Sequence, residues 1–307
     1  MTRGVISFPM CIAVKVEQDL ITYGESQRGL MSIVIVVKVS EGLVLAADSA
    51  ATLLGTLHGP NIEQSGVLKT FYNADKLFQI GDLPIGVLTW GNAFIGPRTL
   101  ESIVREWEHN AHWESLIQYK QQYNEERYSV RKCAESLLQH LTATHRSEFS
   151  SLPMEQQPAI GIIVAGYSEG EFFPEIWRFV VPLDEKVHNQ RPDINNQPNF
   201  GASWFGLTDA IVRLHFGHDD GAVTVLSERL GVPESEIRDI LAPFQYPIPF
   251  AQMPLQDAVD YANYIINIVI GRYRFVLGPD LCGGEIDIAT ITQKEFKWIS
   301  QKSCGLE

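Results

Sequence analysis

Two β-branched runs closed on each other by a short glycine turn constrain this chain more than any other feature. Ser32–Val39 reads SIVIVVKV, Ser40-Glu41-Gly42 follows, and Leu43–Ala47 returns as LVLAA. β-Branched residues fit a pleated, packed surface, and a glycine-containing turn between two such runs marks a β-hairpin. The return strand ends by presenting Asp48, followed by the small residues Ser49-Ala50-Ala51. Taken alone, an aspartate there can simply cap a turn.

The pattern continues in recognisable blocks. Thr52–Tyr72, with three glycines and a proline, has no sustained period and is read as a long loop. Lys76–Ile80 and Ile85–Thr89 form a second strand pair around Gly81-Asp82-Leu83-Pro84. Pro97–Asn110 places Leu100, Ile103, Val104 and Trp107 at helical spacing, and His109–Arg127 reads as a polar, aromatic-rich helical insertion. Val130–Phe149 is an amphipathic helix, and Ala159–Gly166 and Phe172–Val181 are strands. Pro182–Asn199 is a loop, rich in Pro, Asn and Asp. Helices are expected at Thr208–Phe216, Ala222–Arg229, Glu234–Ile240 and Leu255–Tyr273, and a strand at Cys282–Ile291. Strands, then helices, then strands, without βαβ alternation, suggest helices covering packed antiparallel sheets.

Composition narrows the partners. A net charge of −13 opposes long-range attraction to nucleic acid or to an anionic membrane. The most apolar stretches, Ile33–Val37 and Tyr264–Ile270, fall far short of the roughly 20 residues that span a bilayer. Met1–Val14 lacks the apolar core and cleavage site of a secretory leader. Cys11, Cys133, Cys282 and Cys304 form no CxxC pair, so neither a zinc site nor a disulfide framework is indicated, and a reducing cytoplasm is the expected location.

Several segments together resemble the proteasome β-subunits and their bacterial relatives, a family of N-terminal-nucleophile (Ntn) hydrolases. The Ser32–Asp48 hairpin with Ser49 resembles the family's first hairpin, and counting back from Asp48 by the family's interval places Ser32 where the nucleophilic threonine stands. Asp75-Lys76-Leu77-Phe78-Gln79-Ile80 resembles the strand with the catalytic lysine, here Lys76. Ile85–Asn92 resembles the strand ending in the oxyanion-binding glycine, here Gly91. Asp280–Ile288 resembles the last motif, with Cys282 where a serine usually stands. The match is good over 31–107 and 255–298, and between them it holds only in element order.

The resemblance implies an α+β fold, a four-layer αββα sandwich of two packed antiparallel sheets flanked by helices. It divides the chain into a prefix, 1–31, and a domain, 32–307, with insertions near 52–72, 108–128 and 182–200. It implies cleavage of peptide or amide bonds in a homo-oligomer assembled through helical layers, with no metal and no organic cofactor. The chemistry suits the residue types. A serine hydroxyl needs an adjacent base, and a free α-amine, with a pKa of about 7.7–8, supplies one near neutrality. Lys76 would favour the neutral amine, Asp48 would orient Lys76, and the Gly91 N–H would hold the oxyanion. Ser32 must then be the first residue, either by cleavage at Met31–Ser32 or, as favoured here, by translation from Met31 with removal of that methionine.

Some positions depart from the family. Ala50 replaces a frequent basic residue, 28 positions separate Asp48 from Lys76, Pro279 and not Asp280 falls in register for a second aspartate, and neither Ser203 nor Thr208 matches the serine expected near the third helix. A structural subunit without activity is therefore the alternative. A further alternative is an acylase using Cys11. His140 and His145 are badly spaced for one helix face. His215 and His218 beside Asp219-Asp220 read as a solvated helix end more readily than as a metal site.

Overall fold

The computed structural model describes residues 32–59, 62–110, 128–195 and 197–302, with side chains of 54–65 outside that description. The prefix 1–31, including Cys11, and the expected helical insertion over 111–127 lie outside the described residues.

The first hairpin forms as read, β1 (Ile33–Val39) against β2 (Gly42–Asp48). Every residue of both strands is buried, which explains the apolar runs: both faces pack. Ile33, Ile35, Val37 and Val39 point to one side, while Val34 and Val36 point to the other. The chain continues through β3 (Ala51–Gly59), β4 (Ile62–Phe71), β5 (Leu77–Gln79), β6 (Ile85–Gly91), the short pair β7 (Phe94–Ile95) and β8 (Arg98–Thr99), α1 (Leu100–His109) and α2 (Val130–Phe149). Then come β9 (Ile160–Gly166), β10 (Glu175–Val181), β11 (His188–Asn189), β12 (Gly201–Gly206), α3 (Asp209–Phe216), α4 (Asp220–Leu230), α5 (Glu234–Leu241), α6 (Leu255–Tyr273), β13 (Ile286–Ile291) and β14 (Phe296–Ser300).

The fold is α+β, with two five-stranded antiparallel sheets. One has the order β12-β1-β2-β13-β14 and the other β11-β10-β9-β6-β5. Three apolar clusters lie between these elements. Val34, Val36, Leu43 and Leu45 of the first sheet meet Leu88, Trp90, Ile163 and Ile176 of the second. Ile85, Val87, Ile162 and Phe179 pack on Leu100, Ile103, Trp107, Leu137 and Leu141 of α1 and α2. Ile33, Ile35 and Val44 pack on Ile211 of α3 and on Ala262, Ile265, Ile266 and Val269 of α6. At about 1.5–3 kcal/mol for each fully buried aliphatic side chain, these clusters carry the fold. Among the described residues no helix is long and apolar enough to cross a membrane.

Four sequence expectations change. Thr52–Tyr72 is not a loop but a two-stranded ribbon, β3 against β4, with Gly55 opposite Gly66 and a register shift at Leu53/Leu54. The glycines and the irregularity break the alternation by which strands are recognised. β12 pairs along β1, inside the stretch left unassigned between loop and helix. The last strand begins at Ile286, after Gly283 and Gly284 turn with φ of 150° and 77°, and is followed by β14. Pro97 sits in the turn between β7 and β8, and Thr99 caps α1 by accepting the Ser102 N–H at 3.2 Å.

Candidate functional site

β2 ends beneath the start of β1, and this brings Asp48 under Ser32. The Asp48 carboxylate is fully buried and accepts from four donors. Oδ1 takes the Ile33 N–H at 2.9 Å and the Lys76 ammonium at 2.6 Å. Oδ2 takes the Gly283 N–H at 3.0 Å and the Ala50 N–H at 3.2 Å. A carboxylate can accept about four such bonds, so Asp48 is satisfied without water. Its role exceeds that of a turn cap, because it ties the start of β1, the end of β2, the approach to β5 and the Gly283-Gly284 turn into one point.

Lys76 precedes β5, and its side chain is 4% exposed. Burial pulls its ammonium below the ordinary lysine range, and the charge and hydrogen bond of Asp48 oppose this. Ser32 is 3% exposed and lies one residue before β1. Its carbonyl accepts the Leu207 N–H at 2.8 Å, and its φ is 128°. That region costs a residue with a Cβ of order 1–3 kcal/mol.

Ser32, Lys76 and Gly91 line one cavity of about 380 Å³, together with Ala51, Tyr72, Asp75, Thr89 and Glu101. Gly91 ends β6 with φ of 87°, and a Cβ there would meet the Ala159 carbonyl oxygen at 2.6 Å, so glycine is required on both counts. Cys282 is buried and does not line the cavity; burial chiefly, then the charge of Asp48, pushes its thiol far up, out of the nucleophilic range. The structure thus brings together Ser32, Asp48, Lys76 and Gly91, with Cys282 behind them.

No protein-family model and no curated protein matches the chain.

Other singled-out residues go elsewhere. Asp280 is exposed and accepts the Tyr72 hydroxyl at 2.6 Å. Ser203 is buried in β12 and takes the Arg191 Nε–H at 3.1 Å. His145 bonds the Pro158 carbonyl at 2.9 Å. His215 is fixed by the Ile211 carbonyl at 3.1 Å and the Tyr261 hydroxyl at 2.5 Å. Among the described residues no group of three or more His, Cys, Asp or Glu could hold a metal.

A second charge network, beside Lys76, escapes sequence reasoning. Lys302 Nζ lies 2.7 Å from Asp75 and 2.5 Å from Asp287, and its backbone N–H meets Asp287 at 2.8 Å. Burial disfavours the Lys302 ammonium, but these two carboxylates outweigh it and hold it above the ordinary value. Glu101, in the first turn of α1, is raised by burial and by the hydrogen bond and charge of Asp75. No local pattern around Lys302 or Glu101 announces this; only the adjacency of Asp75 to Lys76 hints at it.

Proposed function

We propose that this chain is an Ntn hydrolase of the proteasome-like kind, folded as a four-layer αββα sandwich and cleaving peptide or amide bonds with Ser32. The carrying observation is the convergence of Ser32, Lys76 and Gly91 on one cavity, with Lys76 held by the buried Asp48. The three apolar clusters, one between the sheets and one under each helical layer, support the four-layer reading.

In this reading residues 1–31 are absent from the working protein. The α-amine of Ser32 takes the proton of Oγ as the hydroxyl attacks the acyl carbon, and returns it to the leaving amine. The Lys76 ammonium keeps that amine neutral, Asp48 fixes Lys76, and the backbone at Gly91 faces the developing oxyanion. Water then attacks the acyl-enzyme and frees Ser32. The φ of 128° at Ser32 fits loss of the prefix, because φ ceases to be a restrained angle once the preceding peptide bond is gone. The working protein is a cytoplasmic homo-oligomer.

A structural subunit without chemistry is the second reading, favoured by Asp280, which turns outward to Tyr72 and is not among the residues lining the Ser32 cavity. Intact mass of the protein from its own host, with and without an acylating β-lactone, separates the two. Hydrolysis predicts a chain beginning at Ser32 and one adduct, lost in Ser32→Ala. A chain retaining residues 1–31, or an unlabelled one, refutes it.

A further inference from the structure

A second pocket of about 400 Å³ shares Trp90 and Gly91 with the Ser32 cavity; it is walled by Trp90, Phe205 and Gly161 and lined also by Arg178 and Thr208. In β10, Trp177 and Phe179 turn toward the helices, whereas Ile176 and Val180 turn between the sheets. Alternation sends Arg178 between the sheets as well. An inward arginine can protect a sheet edge from pairing, provided water reaches its head. Arg178 does not fit that role, because its Nε–H is sealed from solvent without a hydrogen-bond partner.

The guanidinium forms no ion pair or hydrogen bond among the described residues, although it carries five donors. Other part-buried arginines are satisfied: Arg191 by Ser203 at 3.1 Å and Arg272 by Asp209 at 2.7 Å. Leaving a part-buried cation unpaired is costly, and a ligand anion removes that cost. A second unused donor stands beside it, since the Thr208 hydroxyl precedes α3 without making a capping bond. The walls are aromatic and preformed. The Trp90 and Phe205 rings stack at 4.6 Å, and Gly161 leaves the space that the Trp90 indole fills.

We infer that this pocket binds a carboxylate borne on an apolar or aromatic group, with the carboxylate on Arg178 and Thr208 and the apolar body against Trp90 and Phe205. One cation and one hydroxyl match a monoanion, and the volume suits a single side chain or small acid. Such a carboxylate comes either from a small free acid or from the C-terminus of a peptide. The site shares Trp90 and Gly91 with the Ser32 cavity but does not depend on hydrolysis there.

Calorimetric titration of the full chain tests it with two pairs, phenylacetate against phenylacetamide and Ala-Ala-Phe against Ala-Ala-Phe-amide. Each carboxylate is expected to bind at least about tenfold more tightly than its amide, as a charge-assisted bond gives. The stronger of the two carboxylates identifies the source, free acid or peptide end. Arg178→Gln abolishes the preference, while Arg178→Lys retains part of it and shows that the pocket still folds. Equal binding of acid and amide, or undiminished acid binding by Arg178→Gln, overturns the assignment. Neither readout requires turnover, so failure here and failure of the Ser32 chemistry are distinct results.

Discussion

Replacing Asp48 by Asn tests whether one carboxylate clamps the site. The side chain keeps its shape, but one oxygen becomes an NH2 that must face either the Lys76 ammonium and the Ile33 N–H or the N–H groups of Ala50 and Gly283. In both orientations donors meet donors. Breaking a buried ion pair costs about 3–5 kcal/mol, and each orphaned buried donor about 1–3 kcal/mol. These overlap, so the expected loss is on the order of 5 kcal/mol, against a total stability of about 5–15 kcal/mol. Lys76→Met should cost less, because it leaves Asp48 with three backbone donors. Urea unfolding at unchanged slope measures each loss, and the double variant Asp48→Asn/Lys76→Met should be less destabilised than the sum by at least about 2 kcal/mol. A loss under about 1 kcal/mol for Asp48→Asn, or additive costs, would refute the clamp.

Gly91→Ala combines a φ of 87° with a Cβ 2.6 Å from the Ala159 carbonyl oxygen. It should lower stability by about 1–3 kcal/mol, and a thermal melt matching wild type would contradict the local geometry. Lys302 is held above its ordinary 10.5, so its contribution is complete below that pH and fades as pH rises through the higher folded value. The stability gap between wild type and Lys302→Met should thus be constant below about pH 10 and shrink above it, and a gap that is flat to pH 12 would show that the Asp75–Lys302–Asp287 contacts contribute nothing.

What could be read without coordinates follows a physical division. Val130–Phe149 and Leu255–Tyr273 match the helices residue for residue, because each is long, periodic and bounded by a local signal. Ser129 caps the first with the Lys132 N–H, and Pro254 starts the second. The Ser32–Asp48 hairpin was legible because burial of both faces writes itself as uninterrupted β-branched sequence. β3 and β4 were hidden because their partner is each other: a ribbon outside the two large sheets need not alternate apolar residues against a core. β12 has six residues, a glycine at each end included, too short to carry a period. The spacing of Ser32, Asp48, Lys76 and Gly91 in the first 60 described residues made their meeting foreseeable, since hairpins bring sequence neighbours together. Lys302 pairs with Asp75 across a long sequence separation and Arg178 is turned between the sheets by its strand, and no local pattern marks either.

Asp75 and Lys76 show why such charges matter. They are neighbours in sequence, yet Lys76 turns to Asp48 and Asp75 turns to Lys302 and Glu101. The first pairing is closed, with every acceptor of Asp48 used. The second is open: Asp75 and Asp287 share the Lys302 ammonium, and burial together with the hydrogen bond and charge of Asp75 raises the Glu101 carboxyl. In the second pocket that Gly91 lines, the imbalance is of the other sign: the Arg178 Nε–H is buried without a hydrogen-bond partner. A stable core tolerates neither imbalance without a cost that closer pairing would remove. The Asp48 clamp, by contrast, is fully satisfied by the Ile33, Ala50, Gly283 and Lys76 donors.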